Sequence, residues 1–217
     1  MTQPIKLIFQ RALQISFFVF VAKPLLTLFF GVRVLGRENL QPNDPFVVVA
    51  NHSSHLDALA LLSIFPLSKL NRIRPVAAGD YFLRNKFIAW FALNLFNIIP
   101  IVRTGITRAN NPLPKMLESL QAGQSLIIFP EGTRRSEEKQ LGKFLPGISH
   151  LVKHAPGLTI IPIYLTNLGR CLPKGEWIPI PFFCEMRIGS PIKPAGTKGE
   201  VTTAIQQAIA DLSPMDL

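Results

Sequence analysis

Residues 46–57 read FVVVANHSSHLD, and the change of character inside that stretch sets the architecture. Phe46 to Ala50 is a short apolar run rich in β-branched residues, and the turn signal Pro42-Asn43-Asp44-Pro45 precedes it. It predicts a strand buried on both faces. Asn51, Ser53 and Ser54 are residue types that favour helix N-caps. Leu56 to Phe65 then reads as a helix, stopped by Pro66. The polar segment Asn51 to Asp57 therefore falls at a strand-to-helix junction, which is where α/β folds gather their sites.

Outward from there, apolar runs and helical stretches alternate. Asn97 to Val102, with an edge-type Pro100, Ser125 to Phe129, Leu158 to Leu165 and Phe183 to Ile188 read as strands. Residues 81–95, 112–122, 146–154 and 200–212 read as helices. The pattern predicts an α/β fold with a mixed central sheet flanked by helices. Residues 33–217 form the expected catalytic-size domain, and residues 1–32 form an apolar helical segment that associates with a membrane.

That segment carries Lys6, Arg11, Lys23, Arg33 and Arg37 by position 37, and no carboxylate. The runs ALQISFFVFVA and PLLTLFFGV are each shorter than the ~20 residues that a spanning helix needs. Lys23-Pro24 divides them, so two short helices lying in one leaflet are expected, with the cytoplasmic face marked by the basic residues. The whole chain has 23 Lys and Arg against 13 Asp and Glu, and is 48% apolar. So apolar and basic a chain suits an anionic membrane surface, not nucleic acid. Lys139 to Gly175 holds five basic residues and no acidic one, a surface for anions. Two cysteines, Cys171 and Cys184, exclude a disulfide scaffold and fit a reducing cytoplasm.

Three chemistries fit Asn51 to Asp57. His52 can act as a general base oriented by Asp57, five residues on across a tight turn. His52, His55 and Asp57 can act as metal ligands in a hydrolase, although HxxHxD is a poor metal pattern. Asp57 can also serve only a helix N-terminus. Ser53 and Ser54 lack the glycine-flanked elbow of a serine nucleophile. A second motif, Phe129 to Arg134 (FPEGTR), follows the SLIIF strand. Its turn presents backbone N–H groups beside Arg134 and Arg135, a cradle for a phosphate. Arg103 ends a third strand, and Pro162 lies in a fourth.

NHSSHLD and FPEGTRRS resemble two signature blocks of the glycerolipid acyltransferases, and Arg103 and Pro162 fall in the order of the other two. The chain is similar to bacterial 1-acylglycerol-3-phosphate acyltransferases from about Val34 to Ile192. The resemblance implies acyl transfer from acyl-CoA or acyl carrier protein to lysophosphatidate, giving phosphatidate for phospholipid biosynthesis. It implies no metal and no cofactor, membrane phospholipids as surroundings, and the cytoplasmic face of the plasma membrane. Another lysolipid acceptor is the alternative. By the same resemblance His52 is the base and Asp57 its partner. Arg103, Glu131, Gly132, Thr133 and Arg134 would hold the acceptor's phosphate and glycerol, and Pro162 would shape the acyl site. Leu145 stands where the family often has a lysine, and Val102 where it has an acidic residue.

Overall fold

The computed structural model describes residues 3–40, 45–79, 85–102, 105, 107, 110–135, 141–172, 178 and 180–214. Among these residues, seven strands form one mixed sheet: β1 (Arg33–Leu35), β2 (Phe46–Ala50), β3 (Ile73–Ala78), β4 (Ile99–Ile101), β5 (Ser125–Ile128), β6 (Thr159–Thr166) and β7 (Glu185–Ile188). Their order is β1-β7-β6-β2-β5-β3-β4. All pairs are parallel except β6 with β7. The helices are α1 (Gln3–Phe17), α2 (Leu56–Ser63), α3 (Lys86–Asn94), α4 (Leu113–Gln121), α5 (Gly147–His154), α6 (Leu168–Cys171) and α7 (Lys198–Ala210). The sheet separates two hydrophobic clusters. One holds α2 and residues Phe18 to Phe30; the other holds α4, α5 and α7. All five residues of β2 are buried, as a strand covered on both faces must be. A Thr197/Glu200 capping box starts α7.

Two strands escaped the sequence reading. β1 spans only three residues. β3 contains Pro75, which argues against an interior strand. The register explains how it is tolerated. Ile73 to Pro75 pair with β5 and Val76 to Ala78 pair with β4, so Pro75 sits where β4 has not yet begun. Pro100 lies on β4, the edge strand, as expected.

The apolar leader differs more. Instead of two helices, it forms one, running through Lys23-Pro24 and reaching Phe29. Phe18–Ala22 and Leu25–Phe29 are π-type turns: the Lys23 N–H donates to the Phe18 carbonyl and the Phe30 N–H to that of Leu25, each five residues back. The wider turn accommodates the proline ring that would clash in a regular α-helix. It also keeps one stripe aligned. Gln14, Phe18, Ala22, Leu26 and Phe30 are all buried. Steps of four overshoot an α-helical turn by about 40° each, and π-type turns drift the other way. The stripe packs on the domain: Gln14 Nε2 donates to the Leu95 carbonyl at 2.8 Å, and Phe17 and Phe18 pack edge-on against Phe96. Lys23, in the C-terminal third of the helix, lines a cleft with Arg37, Ser63 and Phe65. The outward positions Phe20 (77% exposed) and Leu28 (86%) stay open, with Ile8, Phe9, Val21 and Phe29. On α3, Phe87, Trp90, Phe91 and Leu93 are exposed too.

Candidate active site

The loops after β2 and β5 are neighbours because these strands pair in parallel, Val49 opposite Ile128. NHSSHLD and FPEGTRR thus meet at the carboxyl ends of adjacent central strands, the place where open α/β sheets bind ligands. Asn51 fastens the end of β2 to β6. Its amide donates to the Leu165 carbonyl at 2.8 Å and accepts the Leu165 N–H at 2.7 Å.

The turn then brings His52 back to Asp57. Nδ1 of His52 lies 2.8 Å from Oδ2 of Asp57. The same oxygen accepts the N–H of Ser53 at 2.7 Å and of Ser54 at 2.9 Å. The hydroxyl of Ser54 accepts the Leu56 N–H at 3.2 Å, but the N-cap of α2 is His55, which makes no side-chain cap hydrogen bond, so none of Asn51, Ser53 and Ser54 is the cap expected from the sequence. Asp57 is fully buried and the His52 side chain is 21% exposed. With a carboxylate at Nδ1, the proton sits on Nδ1 and Nε2 is the basic nitrogen. Oδ1 of Asp57 is buried and unbonded, so the carboxylate is held by a single oxygen.

The second motif grips His52 from both sides of its backbone. Glu131 Oε1 accepts the His52 N–H at 3.2 Å, and the His52 carbonyl accepts the Arg135 N–H at 2.9 Å. The other Glu131 oxygen accepts the Gly142 N–H at 3.2 Å, with Arg135 Nε 3.9 Å away. Burial raises the Glu131 carboxyl above its ordinary value, against the lowering pull of those hydrogen bonds and of Arg135. Gly132 takes a left-handed φ of +69°, which strains any residue with a Cβ, and a Cβ there would also push Leu145 Cδ1, 2.5 Å away, aside. Thr133 is exposed and Arg134 half-buried. Phe129 stacks on the His52 imidazole, ring centroids 4.1 Å apart and 19° from parallel.

His52, Asp57, Glu131, Gly132, Thr133 and Arg134 are therefore gathered on two abutting loops. Pro162 is in the sheet interior, in register with Val49, three residues short of His52 along β2. Arg103 lies outside the described residues. His55 is exposed on one side and enclosed on the other. Burial, then the Arg134 guanidinium and His52, lower it from 6.5 to about 4. Among the described residues no group of three His, Cys, Asp or Glu side chains could hold a metal ion, His52, His55 and Asp57 included. Sequence reasoning did not pick out Arg135 as a backbone tie or Phe129 as a stacking partner, because neither role leaves a spacing signature.

The acyltransferase family model matches residues 31–166, which holds both loops and the sheet core between them. The chain belongs to the acyltransferase family. Among relatives, a 1-acyl-sn-glycerol-3-phosphate acyltransferase of Pseudomonas aeruginosa is 32% identical over 197 residues, 85% of this chain and 72% of that protein. A chloroplastic protein of the same description from Arabidopsis thaliana is 32% identical over 149 residues, 68% of this chain. The chain spans between 39% and 55% of the length of the plant and algal acyltransferases it matches. The crystal structure of the 1-acyl-sn-glycerophosphate (LPA) acyltransferase from Thermotoga maritima shares the acyltransferase fold seen here. Its TM-score is 0.72 at 23% identity, covering 93% of this chain and 79% of that one.

Proposed function

We propose that the chain transfers an acyl group from a thioester, acyl-CoA or acyl carrier protein, to the free hydroxyl of 1-acylglycerol-3-phosphate, giving phosphatidate. The observation that carries this reading is the His52–Asp57 pair, tied through the His52 backbone to the arginine-bearing loop after β5. Nε2 of His52 takes the acceptor's hydroxyl proton as the oxygen attacks the thioester carbonyl. The tetrahedral intermediate collapses to an ester and expels the thiolate, which takes that proton back from the imidazolium. Asp57 fixes the tautomer and stabilises the cation. No covalent enzyme intermediate and no metal is needed. The relatives named above carry the acceptor in their descriptions, which supports this substrate.

Arg134 and Arg103 are assigned to the phosphate, and the backbone of Gly132 and Thr133 to the glycerol end. Glu131 is better read as a strut for His52 than as a phosphate contact, since both of its oxygens already take backbone N–H groups. Pro162 is assigned to the wall behind the acyl site. Residues 1–32 dock the catalytic domain, 33–217, on the cytoplasmic face of the membrane through Phe20, Val21, Leu28 and Phe29. A thin-layer assay offering several lysolipids with both donors tests the assignment. Phosphatidate formation abolished by His52→Ala supports it. Preference for another lysolipid replaces the acceptor and keeps the chemistry; more than about a tenth of wild-type rate in His52→Ala overturns the mechanism.

A further inference from the structure

We propose that Phe129 is a positioning residue for the His52 imidazole, and that its ring face stabilises the imidazolium formed during acyl transfer. This rests on His52 acting as the base. Asp57 holds the imidazole at one atom, Nδ1, which fixes the ring's direction but leaves it free to roll about that bond. Phe129 supplies the missing restraint: a face parallel to within 19° at 4.1 Å blocks the roll and keeps Nε2 aimed in one direction. The phenyl ring is itself fixed. It follows directly on β5, its carbonyl accepts the Gly132 N–H at 3.1 Å, and its side chain packs against the core cluster on the α2 side of the sheet.

The same contact has an electrostatic consequence. The face of a phenyl ring is negative and attracts a cation, while a neutral imidazole gains little from it beyond packing. His52 is neutral before the reaction and positively charged once it holds the hydroxyl proton. Phe129 thus binds the transition state better than the ground state, the condition for raising kcat and not merely lowering KM. No bond forms or breaks at Phe129, and the proton returns from His52 to the leaving thiolate as before.

The test replaces Phe129 in the full chain by phenylalanines carrying one, two and three ring fluorines. These keep the shape and progressively drain the negative face. The logarithm of kcat is expected to fall stepwise, to a total loss of about 2- to 30-fold, the range a cation–π contact supports. KM for donor and acceptor should stay within about twofold. Phe129→Leu should lose as much, and Phe129→Tyr should recover most of the rate. A flat fluorine series at unchanged melting temperature overturns the electrostatic role of Phe129, a folded Phe129→Leu at wild-type kcat overturns its positioning role, and with His52→Ala inactive either result leaves the base standing. An active His52→Ala overturns both. If Phe129→Leu fails to fold, the fluorinated series decides alone.

Discussion

Glu131 holds His52 by the main chain: its Oε1 accepts the His52 N–H at 3.2 Å while Oε2 accepts the Gly142 N–H at 3.2 Å. One buried carboxylate thereby ties the loop after β2 to two points of the connection between β5 and α5. His52 is fixed through its backbone by Glu131 and Arg135, through its edge by Asp57 and over its face by Phe129. Such fixation keeps a general base within reach of its proton without reorganisation at each turnover.

His52→Ala should lower kcat by about 10²- to 10⁴-fold, the usual worth of a positioned base. Asp57→Asn should be comparably severe, because an amide disturbs the tautomer at Nδ1. It also replaces an acceptor shared by two backbone N–H groups, so a loss of about 1–3 kcal/mol in stability is expected. Steady-state kinetics and a denaturant melt on the same preparations separate the two effects. Unchanged stability in Asp57→Asn would mean that those N–H groups find other partners.

Glu131→Gln should reduce kcat more than it raises KM for the acceptor, since Glu131 acts through His52. Its pH signature has a definite sign. The folded carboxyl is raised above its ordinary 4.5 by burial, so the folded state holds its proton more tightly than the unfolded state. The stability attached to that proton is full below 4.5 and is lost as pH rises through the folded value. The melting-temperature advantage of wild type over Glu131→Gln should therefore shrink as pH rises above 4.5. A gap that widens with pH would reverse the assignment.

The two site motifs were legible because each is a polar block ending an apolar strand run, Phe46 to Ala50 and Ser125 to Phe129. Their meeting was not legible from spacing, since it depends on β2 and β5 being parallel neighbours. The roles of Glu131 and Phe129 came only with that pairing. β3 was hidden by Pro75, whose missing donor matters only once the register of β4 is known. The break expected at Lys23-Pro24 presumed α-helical geometry, and π-type turns remove the clash on which it rested.

His55 supplies a separate acid sensitivity. Its folded value is lowered from 6.5 to about 4, chiefly by burial and then by Arg134 and His52. Between those two values the unfolded chain binds the proton and the folded one does not, so stability falls as pH drops through this window. His55→Gln should flatten the melting temperature between pH 6.5 and 4 relative to wild type. An equally steep decline in the variant would place the acid sensitivity elsewhere.

The helix from Gln3 to Phe29 makes two opposed demands on substitution. Its inner stripe is core, so Phe18→Ala, in a fully buried site, should cost about 3–5 kcal/mol. Its outer face is exposed, so Phe20→Asp with Leu28→Asp should leave the melting temperature nearly unchanged. If that face enters the lipid, the double variant should leave the vesicle fraction in flotation with anionic liposomes. It should also lose activity on membrane-embedded acceptor more than on a short-chain, water-soluble one. Deleting residues 2–32 cannot make this separation, because it strips Phe18, Ala22, Leu26 and Phe30 from the core as well. Full vesicle binding by the double aspartate variant would show that the apolar face of α3, with Phe87 and Trp90, holds the membrane without this helix.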